Sequence, residues 1–158
     1  MNRRLKYVFY VIIIATLIFI WGHSCMTPSA SSNESNAVRN FVARIIGSET
    51  PLALIILKYI RKIAHFTEFA ILAFEMTLFT YICTRIRIAD LMRCVCFGTI
   101  VAIVDETIQI FAGRGSSIFD VLIDTAGYIT SFLLTSLLYL VARIVVNLVT
   151  ERRERKSV

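Results

Sequence analysis

Four long apolar runs separated by short polar stretches dominate the chain. The first, Tyr7–Trp21, follows a basic head with Arg3, Arg4 and Lys6 and ends in a tryptophan suited to the membrane interface. It is long for a signal-peptide core, and no clear Ala-x-Ala site follows, so an uncleaved span is expected. Gly22–Asn36, rich in Ser, Thr and Asn and containing Pro28, predicts an exposed loop. Ala37–Ile46 sets Val38, Phe41, Val42, Ile45 and Ile46 at helical spacing, with Arg39 and Arg44 facing elsewhere. That pattern predicts a short amphipathic helix on the membrane surface. Thr50 and Pro51 form a cap and first-turn pair for the next helix.

Pro51–Cys83 is also mostly apolar, but one helix of that length would measure roughly 50 Å against a hydrocarbon core of about 30 Å. Lys58, Arg61 and Lys62 interrupt it. The expectation is therefore an interfacial or re-entrant piece over Leu52–Ile60 and a second span over Ile63–Cys83. Thr84–Arg93 reads as a short basic loop, and the third span covers about residues 92–111. In the link Ala112–Ser117, Gly113 and Gly115 flank Arg114 and leave it free to fold back over the adjoining helix ends. Ser117 is a good N-cap, with Asp120 at the capping-box position, for a fourth span over about 118–146. Glu151–Val158 is a charged tail. The fold class is thus all-α: one polytopic membrane domain over 1–158, a bundle of four transmembrane helices with a short interfacial helix in a first outer loop of residues 23–62.

Composition agrees. Of 158 residues, 57% are hydrophobic, and soluble domains sit nearer half; mean hydropathy is +0.73. The net charge of +6 would suit nucleic acid, but the basic residues gather at the ends of apolar runs, the topology pattern, and no nucleic-acid partner is expected. The head, the second loop and the C-terminal part carry Arg3, Arg4, Lys6, Arg85, Arg87, Arg93, Arg143, Arg152, Arg153, Arg155 and Lys156. The opposite side carries Arg39, Arg44, Lys58, Arg61, Lys62 and Arg114. The positive-inside rule then puts both termini in the cytoplasm of a multi-pass protein of the cell membrane. Cys25 falls outside and Cys83, Cys94 and Cys96 near the inner face, with no Cys-x-x-Cys pair, so no internal disulfide is expected. Gly22-His23-Ser24-Cys25 is a poor lipoprotein box.

Polar groups inside the apolar runs change the picture most, since each costs several kcal/mol in a bilayer. His65 and Glu68 start the second span, Asp105, Glu106 and Gln109 end the third, and Asp120 and Asp124 start the fourth. At 1.5 Å per residue, all lie within about 10 Å of the outer boundary. They also share faces. Arg61, His65, Glu68, Leu72 and Glu75 form one stripe, and Asp120, Asp124, Gly127, Tyr128 and Ser131 another. Gly127 and Ser131 have the small-x-x-x-small spacing that lets helices approach closely. Glu75, deeper and isolated, reads as structural or protonated. A wholly structural account would make these acids, with Arg61, Lys62, His65 and Arg114, interhelical glue.

The matching stretches Arg61-Lys62-Ile63-Ala64-His65-Phe66-Thr67-Glu68-Phe69, Asp105-Glu106-Thr107-Ile108-Gln109, Gly113-Arg114-Gly115-Ser116 and Asp120–Gly127 resemble the VanZ-like family of bacterial membrane proteins. Their order and spacing fit its pattern of K-x-x-H-F-x-E-[YF], D-E-x-x-Q, a G-R turn and D-x-x-x-[ND]-x-x-G. His23-Ser24-Cys25-Met26 and the serine-rich stretch after it resemble the family's first outer loop. The resemblance covers about Trp21–Tyr139. Phe69 stands where tyrosine is common, and Asp124 where asparagine is common, which adds a negative charge. The family is named for a protein associated with resistance to teicoplanin, so the resemblance implies a role in the cell envelope.

Two functions fit these residues. In the first, a polar site at the outer leaflet binds a lipid head group or a lipid-linked cell-wall component. Arg61, Lys62 and Arg114 would grip phosphate, and Asp124 and the other acids would orient them. In the second, an intramembrane enzyme acts on a lipid-linked or glycan substrate. The catalytic candidates are then His65, Glu68, Asp105, Glu106, Gln109 and Asp120, with His65 or Glu106 as general base. Asp105, Glu106, Asp120 and Asp124 also suit Mg²⁺, Mn²⁺ or Ca²⁺; zinc is less favoured, because His65 is the single histidine in this set. No G-x-S-x-G, P-loop or Rossmann signature occurs.

Overall fold

The computed structural model describes residues 3–46, 51–84 and 87–157. Those residues form five helices: α1 (Arg3–Ser24), α2 (Pro28–Ile46), α3 (Pro51–Cys83), α4 (Ile88–Phe111) and α5 (Ile118–Ser157). Four are long and apolar enough to cross a membrane: α1, Ala53–Cys83 of α3, α4, and Ile118–Arg153 of α5.

Three boundaries differ from expectation. The loop over Gly22–Asn36 shrinks to a turn, because α1 runs to Ser24 and α2 begins at Pro28. The cause is a cap. Thr27 Oγ1 accepts from the Ala30 amide at 3.4 Å, its carbonyl accepts from Ser31 at 3.0 Å, and Pro28 takes the first helical position, where a missing N–H costs nothing. The α2 helix thus has 19 residues, and Val38, Phe41 and Ile45 remain exposed along one stripe. Second, the break expected after Ile60 does not occur, and α3 runs for 33 residues. Lys58, Arg61 and Lys62 are exposed and direct their charge away from the helix body, so they interrupt the hydropathy and not the hydrogen-bond ladder. Third, α4 begins at Ile88, which shortens the basic loop, and the charged tail continues α5 to Ser157. Thr50, expected to cap α3, and Arg85, placed in the basic loop, lie outside the described residues, as does Val158.

The third helix is the centre of the bundle, in contact with all four others. Ile13 and Ile20 of α1, Phe69, Leu72 and Ala73 of α3, Cys94, Val101 and Ala102 of α4, and Tyr128 of α5 form the core. The closest approach is α3 on α5. A Cβ on Gly127 would collide with the backbone carbonyl of Phe66, so the small residue sets the spacing of these helices. Gly98 of α4 lies against the ring of Tyr128, whose hydroxyl donates to the Cys94 carbonyl at 2.8 Å. At the far end, Tyr81 and Tyr139 stack with centroids 4.3 Å apart.

Candidate functional site

The polar residues gather at one end of the bundle, where α1 and α4 end and α5 begins. Because Gly127 brings α5 against Phe66, the residue before Phe66 and the residue one turn before Gly127 face each other. His65 Nδ1 stands 3.7 Å from Asp124 Oδ1 and 3.9 Å from Asp105 Oδ2. Asp105 and Asp124 are fully buried, and His65 is 7% exposed.

The fourth helix supplies a fan. Asp105 and Glu106 are neighbours in sequence and diverge by about 100° around the helix. Asp105 Oδ1 accepts from Ser24 Oγ of α1 at 2.6 Å. Glu106 Oε2 accepts from Ser116 in the turn. Gln109 ties the two together, its Nε2 donating to Asp105 Oδ2 at 2.9 Å and Glu106 Oε1 at 3.0 Å. Both acids of the Asp-Glu pair are thereby oriented by neutral donors.

The turn after α4 ends the helix in a Schellman motif. The Gly113 amide donates to Ile110 and the Arg114 amide to Gln109, with Gly113 at φ 73°, a conformation that favours glycine. The turn throws Arg114 back under α1. There Nη1 donates to the His23 carbonyl at 3.0 Å, a cation at the negative end of a helix dipole. Arg114 is 5% exposed. Burial, and then Arg61 nearby, lowers its pKa, while Asp105, Glu106 and Glu68 act in the opposite direction. It does not border the cavity described below; Arg61 and Lys62 do.

His23 is the main addition to the expected set. Its Nδ1 lies 3.2 Å from Glu68 Oε1, its Nε2 lies 2.9 Å from Glu34 Oε2 of α2, and its ring stacks on His65 at 5.9 Å. His65 is therefore not the single histidine of the cluster, but His23 faces Glu68 and Glu34 and not the buried aspartates. Ser24, Glu34 and Ser116 were also not among the expected residues. A polar His-Ser pair closing an apolar run was the available signal for the first. Asp120 stays apart from the buried acids, 3.4 Å from Lys62 and accepting from Ser117 at 3.1 Å. Glu75 accepts from Thr16 of α1 at 2.9 Å, deeper in the bundle.

A cavity of about 250 Å³ opens over this end. Lys58, Arg61 and Lys62 form one wall, and His65, Glu106, Gln109, Asp120 and Asp124 the rest of its polar lining. A groove between α1, α2 and α3 shares Arg61 with it and has a mixed lining, polar at His23, Glu34 and Glu68 and apolar at Phe19, Val38 and Ile60.

A helical membrane bundle with an acid–histidine pocket at one end is the class that fold and site define. The sequence pattern of the VanZ/LLP1 family matches residues 7–139, most of the chain, and the protein belongs to that family. No curated protein and no solved structure matches the chain.

Proposed function

We propose that this VanZ-family membrane protein binds a phosphate-bearing head group of an envelope lipid or lipid-linked cell-wall component at the outer leaflet, in the manner of a teicoplanin-resistance-like envelope protein. The observation that carries the reading is the two-sided cavity. Lys58 and Arg61 offer cations on one wall, Glu106, Gln109 and Asp124 offer acceptors on the other, and the Lys62–Asp120 pair joins the two at the rim. Phosphate answers the first wall, and Arg61 can meet it with a bidentate fork. Sugar, glycerol or amine donors answer the second. A volume of about 250 Å³ is of the size of a small polar head group. The start of α1 and the end of α5 lie away from the cavity, so the positive-inside rule supports an outward-facing site.

The test is retention of lipid through purification. Full-length protein extracted in mild detergent is expected to retain an anionic phospholipid or lipid-linked precursor, read by mass spectrometry, and the Arg61→Ala/Lys62→Ala variant is expected to lose most of it. Equal retention by the variant would refute the binding reading. A second reading, an intramembrane enzyme acting on a lipid-linked or glycan substrate, is favoured by His65 standing between two buried carboxylates. Release of a head group from added lipid, abolished by His65→Gln, would replace binding with turnover.

A further inference from the structure

We propose that His65, Asp105 and Asp124 form a binding site for one divalent transition-metal ion, Zn²⁺ or Mn²⁺, at the floor of the cavity.

One ligand atom from each of the three residues lies within 4.8 Å of the others, and all three residues are buried. Metal–ligand bonds of about 2.0–2.2 Å put adjacent ligand atoms roughly 3–3.5 Å apart; the His65–aspartate separations of 3.7 and 3.9 Å close with shifts of a few tenths of an ångström, and the two aspartate oxygens, within 4.8 Å of each other, draw together further. The partner count points the same way. Among the described residues, neither oxygen of Asp124 has a hydrogen-bond donor, and His65 Nδ1 has no hydrogen-bond partner. Among the same residues, no lysine or arginine nitrogen lies within 4.0 Å of either carboxylate, and the one basic side chain that does is the His65 imidazole. Two buried carboxylates that close, without a lysine or arginine between them, are costly unless something neutralises both. A divalent ion does so, and it uses the three atoms that lack donors or face one another.

The surroundings are those of a ligand set. Asp105 is held by Ser24 and Gln109, the outer hydrogen bonds that fix a ligating carboxylate. His23 stacks on the His65 ring and limits its rotation. An imidazole nitrogen with two carboxylate oxygens favours Zn²⁺ or Mn²⁺ over the all-oxygen preference of Mg²⁺ and Ca²⁺. His65 and Asp124 also line the cavity, so the remaining coordination positions open towards it. Asp120 is committed to Lys62 and Ser117 and stands outside the set.

The experiment needs no lipid, so its outcome is separate from that of the head-group reading. Untagged full-length protein, stripped by chelator in detergent, is dialysed against micromolar ZnCl₂ or MnCl₂ and its metal content measured. The expected result is about one ion per chain, with affinity reduced at least tenfold in Asp124→Asn and little changed in Asp120→Asn. Unaltered affinity in Asp124→Asn, or equal loss in both variants, would overturn the ligand set. If Asp124→Asn fails to fold, pulsed electron paramagnetic resonance of the Mn²⁺-loaded wild type decides the matter: coupling to one imidazole nitrogen supports the site, and its absence, or failure to take up either metal, refutes it.

Discussion

Asp120 and Asp124 stand one turn apart on α5, yet they belong to different regions. On the rim, Asp120 meets Lys62 at 3.4 Å, and both side chains remain open to solvent. On the floor, Asp124 is fully buried with no donor to either oxygen among the described residues. Identical side chains thus carry different energetic weight. An exposed pair contributes about 0–1 kcal/mol, because water already solvates both partners. A buried carboxylate depends on whatever replaces that water. The rim can change charge without changing the fold, whereas the floor exists only where four chain segments meet.

Gly127→Leu should show the largest effect. The added side chain meets the Phe66 carbonyl, which is backbone and cannot swing aside, so α3 and α5 must separate. The cost is about 1–3 kcal/mol or more, and it dismantles the His65–Asp124 approach. Size-exclusion profile and thermal unfolding in detergent measure it; a wild-type melting curve would contradict the claim that helix spacing makes the floor. Ser24→Ala comes next. It removes the donor to Asp105 Oδ1 and should cost about 1.5–3 kcal/mol, the range for a hydrogen bond to a charged group. A change below about 0.5 kcal/mol in denaturant unfolding would mean that α1 does not orient Asp105. Lys62→Ala should be the mildest, at about 0.5 kcal/mol or less in stability while lowering affinity for anionic lipid. Destabilisation equal to that of Ser24→Ala would erase the distinction between rim and floor.

The spans were legible because lipid imposes a long apolar run on anything that crosses it. The gathering of His65, Glu68, Asp105, Glu106, Gln109 and Asp124 at one end of the bundle was legible because helical spacing converts directly into position along and around a helix. What was missed depended on single caps or on the third dimension. Thr27-Pro28 opens α2 with the same residue pair that was read as a helix start at Thr50-Pro51, but the serine-rich context masked it. The continuity of α3 through Lys58, Arg61 and Lys62 was hidden because hydropathy averages side chains and ignores the backbone ladder. The contribution of α1 was hidden most deeply. Ser24 and His23 answer residues far along the chain, and only the packed bundle reveals which.

That last separation has a consequence for biosynthesis. Ser24 bonds to a residue 81 positions later, His23 receives Arg114 after 91, and Thr16 reaches Glu75 across 59. When α1 enters the bilayer, its Ser24 hydroxyl and His23 carbonyl therefore lack the partners they meet in the finished bundle. Its deeper contact forms once the third helix is in place, and the two near the cavity wait for the fourth helix and the turn behind it. Until α3 is in place, α1 must stay in the membrane on hydrophobicity alone, which its apolar run supplies. Assembly of the pocket is thus a late, long-range event, and a chain stopped before Asp105 would carry a well-inserted first span and no site.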